Sequence, residues 1–176
     1  MGKALVVYES MFGNTREVAR EVAEGLGEAL EVQLVEVGEA PDAVDDDVAL
    51  LVLGGPTHAH GLSRATSRGD SVQHLPKYGI DALVSQGRGI REWLEALSVR
   101  EDMPVATFDT RIKGPKLIWG SAAKAADKRL KDKGLLPLVA GESFIVKMKG
   151  ESWDLLLPGE RERARRWARD LAGRLG

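Results

Sequence analysis

Cysteine is absent from the sequence, which excludes disulfides, thiolate metal sites and cysteine redox chemistry. Any redox role therefore falls to a bound cofactor. No apolar run reaches the roughly 18 residues that a membrane-spanning helix needs. Met1-Gly2-Lys3 leads straight into an apolar strand pattern without the features of a signal peptide. The expectation is a cytoplasmic protein with no membrane insertion. A formal net charge of −2 gives no global pull toward nucleic acid or a lipid surface. Neither Gly-x-x-x-x-Gly-Lys nor Gly-x-Gly-x-x-Gly occurs, so the usual triphosphate and dinucleotide signatures are missing. His58 and His60 have no third ligand nearby in sequence, so no metal centre is expected.

What is present suits one domain spanning 1–176: 43% hydrophobic and 30% charged residues support a substantial core in a chain of 176. Its organising stretch is Val6 to Val18. Ala4 to Tyr8 reads as a buried strand, Ser10 to Thr15 as a polar turn, and Val18, Val22, Leu26 and Leu30 as one face of a helix. A helix start carries unpartnered N–H groups and positive partial charge, so such a turn is an anion site in the making. Gly13 lets the backbone wrap closely, and Ser10, Asn14 and Thr15 offer side-chain donors. Glu17 three residues after Asn14 leaves a second reading open, a capping box and nothing more.

Further along, Glu31–Val37 alternates as an edge strand does, and Val48–Leu53 is apolar throughout, as in a strand covered on both faces. Pro104–Phe108 and a strand centred on Ser143–Val146 complete five. Helices are expected over Ile90–Leu97, with Trp93 in the core, over Ser121–Lys133, and after Pro158. Strands alternating with helices predict a parallel sheet of order 2-1-3-4-5 with helices on both faces, an α/β three-layer sandwich. Ligands of such sheets sit at the strands' carboxyl ends where the order reverses. Three loops gather there: Ser10–Thr15, Gly54–Gly61 and Asp109–Arg111. Ser63–Gly89, long and polar, reads as a flap beside them.

Ser10-Met11-Phe12-Gly13-Asn14-Thr15 resembles the phosphate loop of flavodoxins, matching at the first Ser, the Gly and the last Thr and departing at Phe12, where a hydroxyl residue is usual. Gly55-Pro56-Thr57-His58 is similar to the segment bordering the flavin in FMN reductases of that superfamily. The resemblance implies a flavodoxin-like fold binding FMN through Ser10, Met11, Phe12, Gly13, Asn14 and Thr15. It also implies that Pro56, Thr57, His58, Ala59, His60 and Gly61 flank the ring, with Asp109, Thr110 and Arg111 opposite. The third loop departs from the family: Phe108 points into the core, and no Tyr or Trp stands at Asp109–Arg111 to stack on the ring. The ring would be open or covered by His58, Tyr78 or the flap.

Arg111 to Lys133 holds eight basic and two acidic residues, a balance of +6. The stretch is either a solvated helix face or a steering surface for an acidic partner or a phosphorylated nicotinamide. The implied function is electron transfer through non-covalent FMN with a redox partner protein. The alternatives are an FMN-dependent NAD(P)H:quinone-type oxidoreductase, or a flavodoxin-like interaction module that has lost FMN.

Overall fold

A computed structural model describes residues 1–175. Five strands, β1 (Lys3–Tyr8), β2 (Glu31–Glu36), β3 (Val48–Pro56), β4 (Val105–Ile112) and β5 (Glu142–Val146), form one sheet in the order β2-β1-β3-β4-β5. Every pairing is parallel, so each connection crosses over; all but the β2–β3 connection carry helices, which cover the faces. This is the flavodoxin-like order expected from the sequence.

Alternation along each strand sorts the core into two layers. Leu5, Val7, Leu51 and Leu53 face α4 (Ile90–Ala96) and α6 (Ala122–Asp132), whose Trp93, Leu94, Ala126 and Leu130 are buried there. Ala4, Val6, Leu50 and Val52 face α1 (Asn14–Gly27) and α7 (Glu160–Ala172), which bring Val18, Val22, Leu26, Ala164 and Leu171. Trp93 is fully buried, and its indole Nε1 donates to the Pro41 carbonyl at 3.0 Å. Phe108 points inward as expected, edge-on to Phe144 and Trp167 with ring centroids 6.1 Å away in both cases.

Four features differ from the sequence reading. β3 continues through Gly54-Gly55-Pro56 and β4 through Asp109-Thr110-Arg111, because Gly55 pairs with Asp109, Pro56 with Thr110, and Arg111 with Ile145. Asp109–Arg111 is therefore strand, not loop. Ser63–Gly89 is ordered into α2 (Ala65–Ser71), a 3-10 turn (Val72–His74) and α3 (Leu75–Tyr78). It is bound down to the first loop: Val84 N–H donates to the Met11 carbonyl at 2.9 Å and Ser85 N–H to that of Ser10 at 2.8 Å. A short helix, α5 (Lys116–Trp119), follows β4 where none was expected.

The outer strand β5 would expose a row of unpaired backbone groups. Its end is covered by an antiparallel return, with Lys147 N–H donating to Leu155 O at 2.8 Å and Leu157 N–H to Ile145 O at 3.0 Å. Further back, Glu160 accepts from Ile145 N–H at 2.6 Å, and Arg163 donates to the Ser143 carbonyl.

Candidate functional site

The first loop turns at Gly13, whose φ of 117° is open to glycine and strained for other residues. Ser10 Oγ accepts from Gly13 N–H at 3.1 Å, and Ser10 N–H donates to Ser85 Oγ at 3.0 Å. α1 begins at Asn14 with no side-chain cap on its first amides. The capping box with Glu17 is not formed, which leaves the helix start open to an anion.

Asn14 lines the cleft behind this loop, together with Met11 and Phe12, but its carboxamide is already engaged. Its Nδ2 donates to the Trp153 carbonyl at 2.7 Å, and its Oδ1 accepts from Leu155 N–H at 2.8 Å. The Trp153 indole lies over Gly13, so that a Cβ there would meet it at 3.0 Å. Met11 packs with Leu75 and Leu83. Phe12 lies against Tyr78 with centroids 4.8 Å apart. The two apolar residues of the loop thus anchor α3, which explains why a hydroxyl residue is replaced at position 12.

Behind this loop lies a cleft of about 180 Å³ lined by Ser10, Thr15, His58, Thr110, Arg111 and Lys147, among others. Thr15 and Thr110 share a hydrogen bond at 2.7 Å across its floor. Thr57, Arg111 and Ile112 also line a second cavity of about 280 Å³, which adds Ala59, His60 and Trp119. Trp119 comes to this slot because β4 outlasts Phe108 and α5 folds back. Gly120 (φ 72°) lies against the His60 backbone, where a Cβ would sit 2.1 Å from its carbonyl oxygen. The slot thus has the aromatic wall that local sequence lacked. Ala59 and His60 adopt φ of 43° and 75°, the kind of strain that collects at binding turns. Gly61 N–H and His58 N–H exchange bonds with each other's carbonyls at 3.0 and 2.8 Å, closing that turn.

Asp109 does not reach the cleft. It is fully buried and takes Ser121 Oγ–H at 2.5 Å and Ala123 N–H at 2.9 Å, capping α6. Gly13 and Gly61 shape backbone and are not among the lining residues. Thr57 Oγ1 accepts from Ala122 N–H at 2.9 Å. Arg111, only 9% exposed, donates to the carbonyls of Gly114 at 2.9 Å and Ile112 at 3.3 Å, while its buried Nε has no partner among the described residues.

Beneath the turn, Glu9 is buried and accepts from Ser63 Oγ–H and, at 2.8 Å, from Ile90 N–H. Arg68 donates to Ser63 Oγ at 2.9 Å and to Glu92 at 3.1 Å. Burial raises the Glu9 carboxyl above its usual range, and its hydrogen bonds and Arg68 offset this in part. Burial, then the Arg68 charge, lower His58, which favours the neutral imidazole facing the cleft.

Sequence reasoning missed Lys147, Met148, Trp153 and Leu155. They arrive from the return after β5, about 140 residues beyond the loop they cover, with the Asn14–Trp153 bond spanning 139 positions. Nothing local announces that contact.

Sheet order, an uncapped helix start after β1 and a glycine pair near the end of β3 define a doubly wound α/β protein with its cleft at the switch point. The chain belongs to the flavodoxin family: the model described as "Flavodoxin" matches residues 6–138. Members of that family bind flavin, typically FMN. A flavodoxin from the domain Archaea superposes with a TM-score of 0.62 at 13% identity, over 98% of each chain. Flavodoxin 2 from Bacillus cereus gives 0.59 at 19%, over 98% of this chain and 99% of that one. The flavodiiron protein from Giardia intestinalis gives 0.58 at 16%, over 98% of this chain and 36% of that one. No curated protein matches by sequence. Among the described residues no helix is long and apolar enough to cross a membrane.

Proposed function

We propose that this chain binds FMN non-covalently and passes electrons to or from a redox partner protein in the cytoplasm. The observation that carries the reading is the pairing of an uncapped α1 start with a slot walled by His60, Arg111 and Trp119. The residues fit the cofactor in two independent ways: free first-turn amides await an oxyanion, and Arg111 Nε is buried without a partner. The phosphate would be held by those amides with Ser10, Thr15 and Lys147, and the ring by the backbone of Thr57–Gly61 with Arg111 and Trp119. Asn14, Met11 and Phe12 support this cradle through their own packing. Bound FMN supplies the redox chemistry; the protein orients it, excludes water and fixes the charge around it.

Adding FMN to purified protein tests this directly. Quenching of flavin fluorescence at one equivalent supports the reading, and unquenched flavin at micromolar protein defeats it. A reductase using NAD(P)H needs room over the ring for hydride donor and acceptor, and Trp119 lining the slot argues against that room. Stopped-flow mixing with NADPH separates the two, since a carrier is reduced slowly by it and an enzyme within the turnover time. The interaction-module alternative stands or falls with the same flavin titration.

A further inference from the structure

Seven large apolar side chains are exposed among the described residues; Met148 and Trp119 line the two cavities, and Leu117 and Ile118 share the short α5 with Trp119. Leu117 (97% exposed), Ile118 (62%) and Trp119 (43%) form one lip on α5; Met148 (55%) forms the other, after β5. The lips are neighbours because Ile112 and Val146, at the ends of β4 and β5, pair in register. Exposed lysines flank them: Lys113 beside the first, Lys147 and Lys149 beside the second. Among the described residues these three lysines hold no carboxylate, whereas Arg88, Arg100, Arg163 and Arg165 away from the mouth each do. On the second lip Asp154 is engaged by Arg161, which leaves Glu151 as its exposed acidic group.

We propose that this rim docks an acidic redox protein, with an apolar contact at its centre and carboxylates around the edge. The inference rests on the electron-carrier reading and names the chemistry of its partner. Apolar and aromatic residues with Met at the centre, and lysines at the periphery, are the anatomy of a protein interface. Lys113, Lys147 and Lys149 outnumber Glu151, the one exposed carboxylate there without an ion pair among the described residues, although the whole chain carries −2, so the attraction is local to the place where electrons would leave. A lipid surface fits less well. One turn of α5 is a weak anchor alone, and stable attachment takes a second signal.

The test uses the whole chain, with and without FMN, and an acidic [2Fe–2S] ferredoxin as probe, followed by titration calorimetry. A basic c-type cytochrome is the opposite-sign control. Binding of the ferredoxin that weakens about tenfold between roughly 20 and 200 mM salt is expected. The Lys113→Glu/Lys149→Glu variant should weaken it about tenfold and strengthen the cytochrome. Leu117→Ser should weaken it without changing the salt slope. Absence of ferredoxin binding, or equal binding by the charge variant, overturns the proposal. So does tighter binding to phosphatidylglycerol vesicles than to the ferredoxin. Failure to take up FMN with ferredoxin binding intact defeats the electron-carrier reading and leaves an acidic-protein surface standing.

Discussion

The Asn14 carboxamide is bonded at both ends to the return after β5, donating to Trp153 O at 2.7 Å and accepting from Leu155 N–H at 2.8 Å. The first residue of α1 thereby latches a segment that roofs the first loop. Asn14→Ala removes both bonds at a largely buried position and should cost about 1–3 kcal/mol. Thermal denaturation should register a fall of several degrees in Tm. Freed from Gly13, the Trp153 indole should show red-shifted emission, with Trp153→Phe identifying its share. An unchanged melting curve would remove the latch from the list of stabilising contacts.

Gly54 lies against the face of Phe108, so closely that a Cβ would stand 1.9 Å from the ring's Cζ. That ring is itself wedged by Phe144 and Trp167 and has nowhere to go. Gly54→Ala should cost about 3 kcal/mol or more through overpacking. A second change, Phe108→Leu, should recover part of the loss in a double-mutant cycle. Additive losses would place the strain elsewhere.

β5 is protected at Ile145 N–H by Glu160, which Arg163 also grips at 2.8 Å. Burial alone would raise the Glu160 carboxyl; the hydrogen bonds from Arg163 and Ile145 outweigh it and hold it below its ordinary 4.5. A depressed carboxyl stabilises the fold above the unfolded value, and that contribution is lost as pH falls through the folded one. Glu160→Ala should therefore cost about 1–2 kcal/mol at neutral pH, with the two melting curves converging in acid. Sedimentation should also reveal self-association through the bared edge.

How far the sequence reached depends on the range of the forces involved. Val48 to Leu53 announce a doubly covered strand because burial on both faces leaves an unbroken apolar run, and strand order follows from such local patterns. Ser10 and Gly13 announce the first loop for the same local reason. Asp109–Arg111 reads as loop because its residues are polar, yet β3 and β5 pair with it on both sides and Ser121 and Ala123 satisfy its carboxylate. Asn14 reads as a ligand donor, and a partner 139 residues away claims it. Trp119 is invisible to the site until α5 folds back. Tertiary partners are what pattern cannot supply.

Glu9 sits buried between Ser63 and the start of α4, and burial raises its carboxyl. A raised acid favours the protonated form in the fold, so its contribution is fully present below the unfolded value, ordinarily 4.5, and is lost as pH rises through the folded one. Glu9→Gln keeps an acceptor for Ile90 N–H and removes the titration. Its Tm should decline less than that of wild type between about pH 4.5 and neutrality. Scanning calorimetry across that window checks it, and parallel profiles would mean that Arg68 already compensates the charge.

Arg111 is held in place by the Ile112 and Gly114 carbonyls, so its charge cannot swing away from the slot it shares with Trp119 and His60. A fixed cation beside bound flavin favours the more negative, reduced form and raises the potential. Arg111→Gln should lower the two-electron potential by about 30–60 mV, the equivalent of roughly 1.4–2.8 kcal/mol. The Lys variant should fall between the two, since its ammonium keeps the charge and loses the fork that fixes it. Equilibration with reference dyes reads the potential, and the FMN dissociation constant measured alongside separates electrostatics from simple loss of the site. A potential unchanged in the Gln variant, at undiminished FMN affinity, would put the guanidinium out of the ring's reach and the ring itself somewhere other than this slot.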